Sequence, residues 1–258
     1  MGYWQDRMAQ AQTKISEKNI RVINTQMRKY YAQTMKKVIS DFEATYNKLL
    51  VGFEEGIQPT PADLYKLDKY WEMQAQARTE LERLGARQVA LLSKNFEREW
   101  FEIYHSINIE GATAFNTVDR QTVRQMLNEI WVADGKSWSS RIWTNTSRLL
   151  DTLNEELIYI VASGKSSQEL KGLLQERFGV SYSSADALVR TEVAHIQTQA
   201  ARKRYEDYGI AQVEIWADED ERRCEVCGEL HQKKYAVGEQ VPIPAHPRCR
   251  CCIVPVVE

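Results

Sequence analysis

The stretch C-E-V-C (Cys224–Cys227), followed eighteen residues later by H-P-R-C (His246–Cys249), decides the reading of this chain. Each quartet is a knuckle, in which a two-residue gap lets one tight turn aim two soft side chains at a single ion. Two knuckles complete a tetrahedron of three thiolates and one imidazole. Cys224, Cys227, His246 and Cys249 are therefore expected to hold one Zn2+ per chain. Four protein ligands leave no position for water or substrate, which favours a structural metal over a catalytic one. The run continues R-C-C-I-V-P and offers Cys251 and Cys252 as well. In an extended chain Cys249 and Cys251 share a face, and Cys252 points the other way. Cys249 completes the compact H-x-x-C knuckle, with Cys251 as its substitute, and Cys252 reads as a small buried hydrophobe. His231 lies in a polar stretch between the knuckles and reads as a surface histidine.

Around the knuckles the pattern is that of short strands and turns. Val213 and Ile215 alternate with Glu214 and Trp216 as a strand, and the turn D-E-D-E-R-R leads into the first knuckle. Gly238 and Pro242 break the middle. Cys252 to Val257 suggests a closing strand at a sheet edge, because Pro255 cannot donate to a ladder. A lobe of about fifty residues is too small to hold itself by an apolar core alone. A zinc site, worth roughly 10–16 kcal/mol of apparent binding energy in small finger peptides, is the expected staple.

Upstream, nearly everything reads as helix. From Tyr3 to Leu50 there is no proline and no glycine. Met27, Tyr31, Val38, Phe42 and Leu49 recur at helical spacing, with Met8, Ile15 and Val22 seven apart before them. Such a helix reaches roughly 70 Å and needs a partner along its stripe. Gly52, Gly56, Pro59 and Pro61 mark a break, after which one helix is expected from Thr60 past Trp71, Leu81 and Leu84 toward Trp100. Gly111 marks a turn. Helices follow at about 118–131 and 138–162, the second stopped by Gly164. Ser166 with Glu169 makes a capping box for a helix ending at Phe178, with Gly179 as its C-terminal cap. The last helix is expected from about Ser184 to Tyr208, ended by Gly209.

The fold class expected is α+β: a long helical N-terminal region (1–58), a helical middle region (59–165) and a small zinc-stapled C-terminal domain (166–258). The net charge of −2 gives no global field for nucleic acid. No stretch has the length of a membrane-spanning helix, and Met1–Ile20 lacks the apolar core of a secretion signal. All five cysteines fall after residue 223, which argues for metal binding in a reducing cytoplasm rather than a disulfide framework.

In this order, R-T-E-V-A-H (Arg190 to His195), D-x-x-x-C-x-x-C-G from Asp220 and H-P-x-C-R-C from His246 resemble the phage head-morphogenesis family, the Mu F-like minor head proteins. The resemblance covers about Ser166 to Pro255, and the opening Y-W-Q-D-R-M is similar to the start of minor capsid proteins from phages of Gram-positive hosts. It implies a minor capsid protein of a tailed phage, associated with the portal and head interior. Such a protein assists head assembly and DNA packaging or delivery, is made in the host cytoplasm and ends in the virion. Portal and other capsid proteins are the partners implied. Some relatives are fused to toxin domains, and a chain stopping after the zinc lobe is expected to lack one. Cys252 departs from the family pattern by adding a further cysteine.

Arg190, Thr191 and Glu192 invite a catalytic reading, but no Gly-rich phosphate cradle accompanies them. They read as an Arg–Glu network docking a helix onto the zinc lobe. The first forty residues carry eight Lys and Arg against Asp6 and Glu17. That basic helix can contact DNA phosphates non-specifically, meet an acidic partner, or form a solvated face. Trp71, Trp100, Trp131, Trp138 and Trp143 read as packing anchors. The chain is expected not to be an enzyme. The alternative, a zinc-centred nuclease, needs further histidine ligands, and of four histidines only His231 lies near the knuckles in sequence. A zinc deaminase lacks its H-x-E. A free nucleic-acid-binding zinc module conflicts with six Lys and Arg against nine Asp and Glu from Ile210 onward.

Overall fold

The structure, a computed structural model, describes residues 3–51, 57–109, 118–218, 220–221 and 223–256. The breaks expected at Gly52 and Gly56 and the turn at Gly111 lie outside them. The fold is α+β, mainly helical with a small three-stranded sheet near the C-terminus. Among the described residues no helix is long and apolar enough to cross a membrane. The contacts group the chain into two units. One comprises Met1–Asn24, Leu91–Trp138 and Asp186–Glu258, and the other Thr25–Ala90 and Ser139–Ala185.

Helix α1 (Tyr3–Val51) is uninterrupted, as its lack of Gly and Pro dictates. Met27, Tyr31, Val38, Phe42 and Leu49 are all buried, so the expected stripe is the real one in this half. Upstream the stripe differs: Val22 is 45% exposed and Met8 only partly buried. The buried face there is Ala9, Gln12, Ser16, Asn19 and Ile23, the same helical period written largely in polar residues. Facing helices supply hydrogen-bond partners for these groups, which is why apolar counting misses them. The long helix thus finds cover within its own chain.

The single helix expected after Thr60 is two, α2 (Pro61–Tyr65) and α3 (Asp68–Ser106). Thr60 and Asp63 form the capping box that starts α2. The indole of Trp71 donates to the Tyr65 carbonyl at 3.0 Å, satisfying one of the groups that a helix end leaves orphaned. Helix α4 (Arg120–Leu127) is shorter than expected. It starts where Asp119 accepts from the amides of Gln121 and Thr122. Helix α5 (Trp138–Ser163) stops at Gly164, whose φ of 61° suits only glycine without strain.

The largest departure is α6 (Ser167–Asp207), one continuous helix where two were expected. It starts at the predicted box, with Glu169 accepting from the Ser166 amide at 2.9 Å. Gly179 does not end it. Leu174, Phe178, Ser181 and Ala185 keep one buried face running through that point, and packing overrides a glycine's modest preference. A Cβ at Gly179 would meet nothing within 4 Å. Gly179→Ala should therefore raise stability by about 0.5–1 kcal/mol, read as a higher urea midpoint.

Beyond Gly209, strand β1 (Gln212–Trp216) pairs antiparallel with β2 (Lys234–Ala236) on one side and β3 (Cys252–Pro255) on the other. Pro255 sits on an edge strand, as a residue without an N–H must. Helix α7 (Glu225–Leu230) lies between β1 and β2 in sequence.

In the unit holding Thr25–Ala90, Tyr31 receives a hydrogen bond from Asn145 at 3.2 Å. The tryptophans divide. Trp100 and Trp138 are buried, and Trp131 stacks on His195 at 4.1 Å between centroids. Trp71 and Trp143 are 57% and 42% exposed and are not core anchors, although Trp143 lies against Gly85.

Candidate metal centre

The first knuckle is the start of a helix. Cys224 occupies the N-cap of α7 with extended backbone, and its Sγ accepts from the Cys227 amide at 3.4 Å. This fixes the two thiols on one side of the turn. The second knuckle is a turn closed by the Cys249 amide donating to the His246 carbonyl at 3.1 Å. Within it Arg248 has a φ of 64°, unusual for a side chain of that size, and so the turn is held from outside. The Arg248 amide donates to Thr191 Oγ1 at 3.0 Å, and its guanidinium reaches Asp186 at 3.2 Å. Both partners are on α6.

The knuckles converge. His246 Nε2 lies 3.3 Å from Cys224 Sγ and 3.1 Å from Cys227 Sγ, and Cys227 Sγ lies 3.8 Å from Cys249 Sγ. Two triads could each hold a metal ion, Cys224–Cys227–His246 and Cys227–Cys249–Cys251, with Cys227 common to both. Zn–S bonds of about 2.3 Å in a tetrahedron place sulfurs about 3.8 Å apart, so the Cys227–Cys249 spacing fits. The other ring nitrogen, Nδ1, is 2.9 Å from the Pro247 carbonyl. A carbonyl only accepts, so Nδ1 carries the proton and Nε2 is left to ligate.

The thiols already share protons unevenly. A hydrogen bond from the Cys251 thiol draws Cys249 down, the same bond pushes Cys251 up, and burial pushes Cys227 up. Cys224 is exposed, the other cysteines buried. Cys252 is apart from both triads. It packs with Ala9 and Val254, against Met8 and Trp216, in the hydrophobic role expected of it.

His231 is not the surface histidine expected. Its Nδ1 accepts from the Ala217 amide at 3.2 Å and its ring packs edge-on to Trp216 at 4.9 Å. It supports the end of β1 and belongs to neither metal triad.

Among the described residues the R-T-E run meets the lobe through Thr191 and not through an Arg–Glu pair. Arg190 is paired with Asp186, Thr191 takes the Arg248 amide, and Glu192 accepts from the Trp131 indole at 3.1 Å. A threonine hydroxyl bonding across to a backbone amide leaves no periodic signature in a sequence. Thr191→Val should cost about 1 kcal/mol and speed amide exchange at Arg248, read by hydrogen exchange.

Residues 151–254 match the family described as Phage Mu protein F like protein. NAD(+)–arginine ADP-ribosyltransferase EFV of Enterococcus faecalis (strain ATCC 700802 / V583) is 26% identical over 177 residues, 62% of this chain and 36% of that protein. The chain thus spans about a third of that relative's length. No solved structure matches. The matched segment carries α6, the sheet and both knuckles, so the similarity to Mu F-like proteins falls on the part of the chain that holds the candidate metal centre.

Proposed function

We propose that this chain is a minor capsid protein of a tailed phage, acting at the portal and head interior in assembly and in DNA packaging or delivery. Its C-terminal lobe is stapled by one structural Zn2+ on Cys224, Cys227, His246 and Cys249. The observation that carries the reading is the Mu F-like match over the very segment whose knuckles are tied to α6. Zinc is supported by the donor chemistry and by the 3.8 Å sulfur spacing. When bound, the metal supplies cross-linking and no reaction, because three thiolates and an imidazole fill its positions. The role is structural rather than enzymatic. The activity named for the enterococcal relative belongs to a protein of which this chain matches about a third. A nuclease would have to recruit His231, whose ring nitrogen is engaged by the Ala217 amide.

The docking element is the exposed basic face of α1, with Lys14, Lys18, Arg21, Arg28 and Lys29. The test is co-purification of the zinc-loaded chain with the portal protein encoded beside it. Binding should weaken when those five are neutralised and survive His231→Ala, with DNA left uncut in magnesium or manganese. Absence of portal binding removes the functional content of the proposal. Cleavage abolished by His231→Ala establishes the nuclease instead.

A further inference from the structure

We infer that a cavity beside the metal centre receives the carboxylate of an Asp or Glu from an acidic protein segment, on the guanidinium of Arg190. The cavity has a volume of about 550 Å3 and is walled by the first turns of α1, the middle of α6 and the 246–250 turn. That volume falls within the range of ligand-binding recesses, and this one is half open to solvent.

The donors around it are unequally used. Arg250 is taken by Asp218 at 3.0 Å and by Asp220. Arg248 reaches Asp186 through Nη2. Arg190 gives the same carboxylate only its Nε hydrogen, 3.1 Å from each oxygen, and its two Nη nitrogens make no hydrogen bond to a described residue. Asp186 also accepts from Asn24 at 2.6 Å, so one carboxylate serves two guanidiniums and an amide. The Arg190 side chain is 42% exposed and lines the cavity, held by one edge with the forked edge left over. Such a fork matches the two oxygens of a carboxylate.

The lining carries three guanidiniums beside Glu17 and Asp186, and of the three only that of Arg190 has both Nη nitrogens clear of a described carboxylate. Ile20, Val193 and Pro247 give an apolar wall for the methylenes of an acidic side chain. The forked edge of Arg190 and an apolar wall for side-chain methylenes favour an acidic peptide over a nucleic-acid backbone. That the segment comes from a capsid partner rests on the assembly reading; the binding chemistry does not.

The probe is the peptide acetyl-Glu-Glu-Glu-amide, titrated calorimetrically into the full zinc-loaded chain at low salt, with circular dichroism as the folding check. Saturable binding is expected, weakened about tenfold or more by Arg190→Ala and by Arg190→Lys, since one charge-assisted bidentate contact is worth that much. Glu17→Gln should tighten binding, a gain that a merely structural role would not produce and that stands even if Arg190→Ala fails to fold. No saturable binding, or equal affinity with Arg190→Lys, overturns the proposal. Stronger binding of inorganic phosphate or oligothymidylate than of the peptide overturns the carboxylate assignment. The peptide tests the cavity alone, so its failure is distinguishable from a failure to bind portal.

Discussion

Cys227→Ser is expected to release the zinc and to cost the C-terminal lobe its cooperative fold. Cys227 is the one thiol common to both triads, 5% exposed, 3.1 Å from His246 Nε2 and 3.8 Å from Cys249 Sγ. Its loss therefore disables either choice of ligands. Cys249→Ser leaves Cys251 beside Cys227 as a substitute and should keep weakened metal. The lobe has three strands of five, three and four residues, too little core to fold alone. Apparent metal-binding energies of roughly 10–16 kcal/mol in zinc-finger peptides set the scale of what is lost. Elemental analysis should read about one equivalent of zinc in the parent and none in Cys227→Ser. Limited proteolysis should then cut after Asp207. Cys252→Ser should retain the metal and lose only stability, about 1–3 kcal/mol for a hydroxyl placed among Ala9, Met8 and Val254. A Cys227→Ser protein that keeps zinc, or a metal-free lobe that resists protease, contradicts the ligand assignment.

Glu99→Gln should stabilise the protein above neutral pH. Glu99 on α3 is fully buried, its carboxyl bonded by the Ser16 hydroxyl and by Asn19 Nδ2 at 2.6 Å. Burial pushes its pKa from 4.5 up to about 7; the Ser16 and Asn19 bonds pull it down, Glu102 adds to the rise and Arg98 opposes it. The folded state thus holds the proton more tightly than the unfolded one. The resulting stability is complete below about pH 4.5 and is lost as pH rises through about 7. At 1.36 kcal/mol per pKa unit the span is roughly 3 kcal/mol. Glutamine imitates the protonated acid, since its amide can donate to Ser16, which in turn donates to Gln197 at 2.9 Å. Urea midpoints from pH 4.5 to 8.5 should fall for the parent up to about pH 7 and stay flatter for Glu99→Gln, the gap opening from about pH 4.5 and complete by about pH 7. Parallel curves would place the titration elsewhere.

Much of this was legible from residue order. The knuckles announce themselves because metal ligation needs fixed spacings, and the caps at Thr60, Ser166, Gly164 and Gly209 follow from local backbone chemistry. What escaped depends on partners distant in sequence. Gly179 looks like a stop, yet the buried face on both sides carries the helix through. His231 looks exposed until Ala217, the residue just after β1, supplies its amide. Trp71 and Trp143 look like anchors, but hydrophobicity alone does not say which face of a helix is covered. Thr191 stands out within R-T-E only for its neighbours' charges, whereas its hydroxyl makes the contact.

The polar buried face of α1 bears on alignment. An apolar stripe slid by one turn finds other methyl groups to touch and loses little. Gln12, bonded to Tyr205 and to the Ile253 carbonyl, and Asn19, bonded to Glu99, Glu102 and Arg98, have no such second choice. Moving the helix four residues would strand donors and acceptors on three elements at once. The first turns of α1 therefore act as a vernier, admitting one setting of the helix against α3, α6 and β3. A pair of compensating substitutions, rather than any single one, would be needed to reset it.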